Sequence, residues 1–492
     1  MWRAPRRRAT VLIKGIYRRY ISFKLSPEAA PVLSHLVSDA SQSVPICLVA
    51  AADRERWLAT LDDVGRRWVA ATGFTGEAGK VALLPDAGGG LARVLVGAAP
   101  GDTLWALAGL PDSLPEGSYR VEPEPEARAA SRLALGWALA CYSCARYKAR
   151  PRGFAKLVWP EAADRGLVER LARGIGLARD LINTPAEHMG PAELAGAAED
   201  LAGRHGARFR AIVGDDLLAE NYPMIHAVGR ASSRAPRLAD LTWGDPAAPK
   251  LTLVGKGVCF DSGGLDLKPA GGMRLMKKDM GGAATLLGLA EAVMAARLPL
   301  RLRVLVPAVE NAVSANAFRP LDVIRTRKGL TVEIGNTDAE GRLILCDALA
   351  EADSEKPALL IDMATLTGAA RTALGPDLPA LFSNDDALAS ELLGAAKATA
   401  DPLWRLPLWQ PYRKMLKSQI ADINNVSESL FAGAITAALY LQEFVGKETP
   451  WAHIDTFAWN QSSRPGRPEG GEALGLRALY QLIEERFGAA PA

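Results

Sequence analysis

The 492-residue sequence is poor in cysteine and histidine, and contains five of each. The cysteine number is odd and low for this length, so we expect a reducing, cytoplasmic compartment rather than a disulfide framework. Cys141 and Cys144 form a CxxC in a stretch that we predict as an apolar helix, and a redox or zinc role is the weaker alternative. The histidines are dispersed and no HExxH motif occurs, which argues against a histidine-based zinc site.

The sequence also lacks an apolar run long enough to cross a membrane. Its net charge is +3, but eight Lys and Arg precede the first acid, Glu28. Without them 50 basic residues face 55 acidic ones, so we do not expect nucleic acid as a partner. Residues 1–24 form a basic N-terminal extension that we expect to be disordered. A solvated tail or an overlong start fits this segment better than a transit peptide.

What the sequence does contain is an alternation of apolar strand patterns and helical patterns. Residues 25–160 are predicted to form a small α/β domain, and residues 161–492 a connecting helix and a larger domain. From Leu251 onward the strand patterns include LTLVG, LRVLVPAV, LTVEIG, ALLIDMATL and WAHIDTF. We therefore predict an α/β fold, in which the larger domain has a mixed, mainly parallel sheet covered by helices.

Three polar clusters lie beside these predicted strands, where ligands bind in such sheets. They are VGKGVCFDSGGLDLKP, MRLMKKDMGG and VEIGNTDAEGRL. Their acids and bases are Lys256, Asp261, Lys268, Asp279, Asp338, Glu340 and Arg342. Because alternate residues of an extended segment face the same side, we expect Asp338, Glu340 and Arg342 to point together.

Four acids in one cleft would repel each other strongly unless cations neutralised them. Carboxylate oxygens suit Mg²⁺ and Mn²⁺, and Zn²⁺ accepts them as well. Taken singly, however, an acid beside a glycine is most often a turn former or a helix cap. The pattern therefore predicts a two-metal site only if the three clusters meet in space.

GKGVCFDSGG and NTDAEGRL resemble the signatures of the leucine (cytosol) aminopeptidase family. ARDLINTPA, MATLTGA, WAHIDTFAW and RPGRPEGGEALGLR are similar to further segments of that family. The resemblance is strong over roughly residues 165–490 and loose in the N-terminal third. It implies a metal-dependent enzyme that removes the first residue, leucine or another, from peptides with a free N-terminus. It also implies a homohexamer.

The resemblance further implies two Mn²⁺ or Zn²⁺ ions per subunit and assigns a role to each clustered residue. Asp261 and Glu340 would bridge the two ions, and Lys268 and Arg342 would be the catalytic pair. Lys256 would have to be neutral, and the alternative is a charged lysine paired with an acid. The implied metal ligands are Lys256, Asp261, Asp279, Asp338 and Glu340.

The ions would activate a water molecule for attack on the first peptide carbonyl. Lys268 would stabilise the developing oxyanion. The pKa of Arg342 is too high for its guanidinium to act as a base, so the resemblance gives it a bicarbonate ion that moves the proton. The alternative is that the guanidinium forms a structural bidentate ion pair with a carboxylate. Implied substrate contacts are Met276, Thr365, Leu366 and Gly368.

The sequence departs from the family pattern at a few positions. Asp266 stands where a small or neutral residue is more usual, and ENAVSANAFRPLDV lacks glycines. Bulky Phe457 stands where a smaller pocket residue is expected. These departures leave the metal set intact but argue against assuming a preference for leucine. The rival hypotheses are a DNA-binding role and a structural role without catalysis. The acidic balance argues against the first and the complete set of seven polar residues against the second.

Overall fold

The computed structural model describes residues 31–99, 101 and 103–488, and the predicted basic extension at 1–24 lies outside them. The first α/β unit is built on a six-stranded sheet that is parallel except for one terminal hairpin. In order across the sheet its strands are Leu36–Val37, Lys156–Val158, Ser118–Val121, Ser43–Val49, Leu91–Gly97 and Val81–Pro85. Its helices are Arg54–Leu58, Asp63–Ala71, Leu110–Ser113 and Ala127–Ala140.

The connecting helix Arg165–Asn183 joins this unit to the larger one, as the three-and-four spacing of its apolar residues predicts. Asp164 caps it by accepting a hydrogen bond from the Leu167 amide. The helix packs against Gly281–Ala295 at two glycines, Gly174 and Gly288. A Cβ on Gly174 would lie 2.3 Å from the Gly288 carbonyl oxygen, so this close approach requires glycine.

The larger unit contains a nine-stranded mixed sheet in which parallel pairs dominate. Along the sheet the strands are Trp404–Arg405, Ala380–Ser383, Trp451–Asp455, Leu359–Ala364, Lys250–Gly255, Arg301–Asn311, Arg237–Trp243 and Arg208–Val213, and Gly257–Asp261 also pairs with Arg301–Asn311. Every residue of Leu359–Ala364 is buried, as expected for a strand covered on both faces. The predicted two-part α/β architecture is confirmed.

Helices cover both faces of this sheet. They are Pro191–His205, Asp216–Ala219, Pro223–Gly229, Ala270–Met273, Gly281–Ala295, Glu340–Ser354, Gly368–Leu374, Asp386–Thr399, Gly433–Gln442 and Leu476–Phe487. Two small sheets complete the unit: Val323–Arg325, Thr331–Glu333 and Ile423–Asn424 form one, and Trp459–Asn460 with Gly470–Gly471 forms the other. Within the described ranges, no helix is both long and apolar enough to span a bilayer.

Two local predictions were wrong. The LTVEIG strand, Thr331–Glu333, belongs to the small three-stranded sheet rather than the main one, and only its central Val332 is buried. The apolar helix at the CxxC ends at Ala140, before both cysteines. Cys141 is buried just after the helix, whereas Cys144 lies in the irregular segment that follows and is partly exposed.

Candidate metal centre

The predicted site residues meet at the carboxyl ends of the central strands. All of them except Glu340 line one cavity of about 520 Å³: Lys256, Asp261, Lys268, Met276, Asp279, Asp338, Arg342, Thr365, Leu366 and Gly368. Glu340 is buried beside the cavity and contacts Lys256. Strands Lys250–Gly255, Gly257–Asp261 and Leu359–Ala364 all end at this cavity, which explains how segments far apart in the chain converge.

Three of the acids form the centre of the group. Asp261, Asp338 and Glu340 each present a carboxylate oxygen, and these oxygens lie within 4.8 Å of one another. Asp261 ends a strand, Asp338 lies in a loop, and Glu340 is the first residue of helix Glu340–Ser354. The expected extended segment was therefore wrong for Glu340 and Arg342, because these two side chains project from the first helical turn.

Lys256 connects the fourth acid to this group. Its Nζ lies 2.8 Å from Asp279 Oδ2 and 2.9 Å from Glu340 Oε1, and it donates a hydrogen bond to the Thr365 carbonyl. A Cβ at Gly341 would lie 2.5 Å from Lys256 Cε, so a larger residue at this position would force the lysine side chain to shift. Burial lowers the pKa of Lys256, but Asp279 and Glu340 outweigh it and raise this pKa above its ordinary value. The geometry is that of a charged lysine paired with acids.

Lys268 forms the second cationic contact of the group. Its Nζ lies 2.8 Å from Asp261 Oδ2 and 2.5 Å from Asp338 Oδ1. Burial opposes the charge, but the Asp261 carboxylate dominates and holds the pKa of Lys268 above its ordinary value. This lysine is thus a cation at the cavity wall, as its implied role requires.

Lys256 and Lys268 carry too little positive charge to neutralise the four acids. The excess of negative charge raises the pKa values of two of these acids. Burial and the nearby Asp261 charge raise the pKa of Asp338 to about 6 and that of Glu340 to about 8. The Oε2 atom of Glu340 is buried and has no hydrogen-bond partner among the described residues. Orphaned carboxylate oxygens in a crowded acidic cluster fit divalent cations, whose preferred ligands they are. The residues present therefore fit a metal centre.

Arg342 lies deeper, at the start of the helix that carries Glu340. Its Nη1 donates a 2.6 Å hydrogen bond to the Asn425 carbonyl, and its buried Nε has no partner in the described part of the chain. Burial lowers the pKa of Arg342 from its ordinary value. No carboxylate of the described residues pairs with it, so the alternative of a structural bidentate ion pair was wrong.

Sequence reasoning missed two residues that hold the site in place. Asn311 is buried and donates hydrogen bonds to Asp261 Oδ1 and to the Thr337 carbonyl, at 2.9 and 3.0 Å. Asp455 is buried and accepts from Thr367 Oγ1 and from two backbone amides. Each stands at the end of a strand that the sequence predicts, and that position was the available signal.

The implied substrate contacts form one wall of the cavity. Thr365 Oγ1 donates to Asp279 Oδ1 at 2.7 Å, so this hydroxyl orients a predicted ligand. The Leu366 amide donates to Asp455 and is not free for a substrate. Gly368 begins a helix and has open space where a Cβ would stand.

An unexpected group of side chains lies on the same wall. The Lys278 ammonium lies 4.7 Å from the ring centroid of Phe457, and the Arg371 guanidinium carbon lies 4.9 Å from the same centroid. All three residues line the cavity. Burial lowers the pKa of Lys278 to about 8.

The chain is similar to known proteins over most of its length. The catalytic-domain model of the cytosol aminopeptidase family matches residues 176–480, and the M17 aminopeptidase N-terminal domain matches residues 44–160. The crystal structure of cytosol aminopeptidase from Coxiella burnetii is similar with a TM-score of 0.90 and 50% identity, covering 92% of this chain and 100% of that one. Bottromycin maturation enzyme BotP, in complex with Mn, gives 0.80 and 33%, covering 90% and 99%. Peptidase B of Serratia proteamaculans is 45% identical over 346 residues, or 68% of this chain and 80% of the relative.

Proposed function

The chain belongs to the cytosol aminopeptidase family of metal-dependent aminopeptidases, and we propose that the cavity described above is where it removes the first residue of a peptide. The observation that carries this proposal is the convergence of Asp261, Asp338 and Glu340, whose oxygens lie within 4.8 Å of one another. A lone acid near a glycine is common in turns, whereas three acids from two distant segments in one largely buried cluster require a compensating function.

We infer that a pair of divalent ions is held by Asp261, Asp279, Asp338 and Glu340, with Lys256 as the fifth ligand. When bound, such ions supply Lewis acidity that activates water near neutral pH and an anchor for a free α-amine. An amine anchor accounts for exopeptidase action, because an internal peptide nitrogen is a poor ligand. Lys256 would have to lose its proton, and dications close to its Nζ favour the neutral amine.

We propose that Lys268 and Arg342 act on the substrate in two different ways. The Lys268 ammonium lies at the cavity wall between Asp261 and Asp338, where it can stabilise negative charge that develops on the peptide carbonyl oxygen. Arg342 faces the cavity with an unused Nε, a donor suited to a small planar anion. We propose that it holds bicarbonate, which would move a proton that the guanidinium itself cannot accept.

The metal identity, the assembly and the compartment belong to the same proposal. Mn²⁺ is supported by the carboxylate donor set and by the manganese complex of BotP, and Zn²⁺ is the alternative. A homohexamer is the assembly that the family resemblance implies, and the exposed apolar side chains of Leu430 (98%) and Phe431 (80%) support a subunit interface of some kind. A cytoplasmic location is supported by the free cysteines.

The test is metal restoration on chelator-stripped protein, with Glu340→Gln beside the parent chain. Calorimetric titration with Mn²⁺ or Zn²⁺ should give two sites for the parent and weaker binding for the variant, because the neutral amide of Gln is a weaker ligand than a carboxylate. Hydrolysis of aminoacyl amides should return in step with the second equivalent of metal. Full hydrolysis by stripped protein, or unchanged metal binding by Glu340→Gln, would contradict the proposal.

A further inference from the structure

Lys278 is a buried cation without an anionic partner. Its residue is 5% exposed, and its side chain makes no hydrogen bond or ion pair within the described part of the chain. Lys256 and Lys268, by contrast, each contact two carboxylates. Burying an unpaired ammonium is unfavourable, and contact with the Phe457 ring offsets only part of this free energy.

Arg371 brings a second unpaired cation to the same ring. It lies in helix Gly368–Leu374, is exposed at the cavity, and has no carboxylate partner among the described residues. The nearby acids are already engaged: Asp279 contacts Lys256 and Thr365, and Asp455 accepts three hydrogen bonds. The wall therefore presents two cations that no carboxylate of the described residues contacts directly.

We propose that Lys278 and Arg371 bind the side-chain carboxylate of the substrate's first residue, so that peptides beginning with Glu or Asp are preferred over those beginning with Leu. This inference rests on the proposed function and names its substrate class. Phe457 occupies space that a large apolar side chain would otherwise fill, and both cations lie near its ring, at 4.7 and 4.9 Å from the centroid. A carboxylate between them would complete the missing ion pair.

The position of Lys278 favours the first side chain over the C-terminal carboxylate of a dipeptide. It directly precedes the proposed ligand Asp279 and follows Met276 on the same wall by two residues. A group bound here lies close to the anchored amine, whereas a C-terminal carboxylate lies beyond the bond to be cleaved. The two sources of carboxylate can be separated experimentally.

The experiment compares kcat/KM for Glu, Gln and Leu substrates that share one uncharged amide leaving group. Because a hydrogen bond to a charged group contributes roughly 10- to 100-fold, we expect Glu to exceed Gln by about this factor. Lys278→Met should bring the Glu-to-Gln ratio close to one. Arg371→Met should lower the ratio less, because the exposed guanidinium is screened by solvent.

The matched control is Lys277→Met. Lys277 donates to the Asn183 carbonyl and lies 5.4 Å from the Trp459 ring centroid, and it is not among the residues that line the cavity. Its replacement should leave the Glu-to-Gln ratio unchanged. Lys278→Arg, which keeps the charge, should retain most of the preference. Calorimetric binding of glutamate against glutamine gives a readout that is independent of turnover.

Three outcomes would overturn the inference: equal use of Glu and Gln by the parent chain, an unchanged ratio in Lys278→Met, or loss of the preference in Lys277→Met. A Lys278→Met defect that follows the C-terminal carboxylate, seen by comparing Leu-Ala with its amide, would overturn it as well. Failure of the parent chain to hydrolyse any of these substrates with metal present would instead refute the proposed function.

Discussion

Two clusters of buried charge in the larger unit differ in how completely they are paired. In the first, Arg303 contacts Asp240, Glu351 and Glu355, and Arg327 also contacts Glu351. Burial opposes ionisation of Glu351, but Arg303 and Arg327 outweigh it and hold its pKa below the ordinary value of 4.5. Every charge in this arginine cluster has a partner, and the group serves to join helix and strand.

The metal-site cluster has the opposite balance of charge. It consists of Asp261, Asp279, Asp338 and Glu340 with Lys256 and Lys268. Four acids share two lysines, and the pKa values of Asp338 and Glu340 are raised rather than lowered. The pKa values of Glu351 and Asp338, which are both partly buried, thus shift in opposite directions, according to whether the neighbours supply enough positive charge. The contrast teaches that buried acids as such do not mark a functional site, whereas buried acids short of cations do.

The largest effect should come from Asp338→Asn. We expect kcat/KM to fall by about 10³-fold or more, because a proposed ligand of the metal centre is lost. In the absence of metal, however, the variant should be at least as stable as the parent chain. The folded-state pKa of Asp338 lies above its ordinary 3.8, so its ionisation opposes folding as the pH rises from about 4 through about 6. Asn removes this opposition, and thermal unfolding at pH 7 should occur at the same or a higher temperature.

The control for this variant is Asp322→Asn, at an acid whose Oδ2 accepts only from the nearby Arg319 amide. It should leave kcat/KM close to that of the parent chain. An Asp338→Asn variant with parental activity would contradict the proposed ligand role. A large drop in its metal-free unfolding temperature would contradict the charge excess on which the comparison depends.

The second effect is expected in the arginine cluster and concerns stability. Glu351→Ala leaves part of the Arg303 and Arg327 charge unpaired, and should lower the free energy of unfolding by about 2 kcal/mol, since the pair is partly reached by solvent. Because the pKa of Glu351 is lowered on folding, its contribution is present above 4.5 and is lost as the pH falls through the folded-state value. Denaturant unfolding at pH 7 and pH 3 measures both points.

Glu351→Ala should retain parental metal affinity, since the arginine cluster shares no residue with the metal site. An unfolding free energy equal to that of the parent chain at pH 7 would show that the arginine cluster does not stabilise the fold. A difference that persisted undiminished at pH 3 would assign the effect to packing rather than to charge.

The sequence predicted the metal-site cluster better than it predicted the geometry that creates it. Motif spacing grouped Asp338, Glu340 and Arg342 correctly. It did so on the assumption of an extended chain, which is wrong for Glu340 and Arg342. Their convergence comes from a loop that turns into a helix, and the strand pattern does not report where that helix begins. Residue types were therefore recoverable from the sequence, whereas side-chain directions were not.

Long-range partners were the other limit. Asn311 lies 50 residues from Asp261 in the chain, and no local pattern shows that its amide orients that carboxylate. Lys278 and Phe457 are also distant in sequence. In the sequence, Phe457 stands out only as a bulky departure from the family pattern. Phe457 follows strand Trp451–Asp455, whereas Lys278 lies just before helix Gly281–Ala295, so their contact depends on long-range packing that no local pattern reports.

The smallest effect is expected at Asp266, the acid that departs from the family pattern. Its Oδ2 accepts hydrogen bonds from the Thr337 amide at 2.7 Å and from Thr337 Oγ1 at 3.1 Å, while its own amide donates to that hydroxyl. These contacts join the loop of Lys268 to the loop of Asp338. Asp266 therefore helps to position these two loops, although it is not itself part of the metal-site cluster.

Asp266→Asn keeps the size of the side chain but replaces the charged acceptor with a weaker neutral one. We expect kcat to fall about 10-fold with KM nearly unchanged, because supporting contacts of a metal site typically contribute 10- to 100-fold when removed entirely. Asp266→Glu, which keeps the charge, should recover part of the loss. A change confined to unfolding temperature would show that the contact only stabilises the loops, and would place Asp266 with the arginine cluster rather than with the metal site.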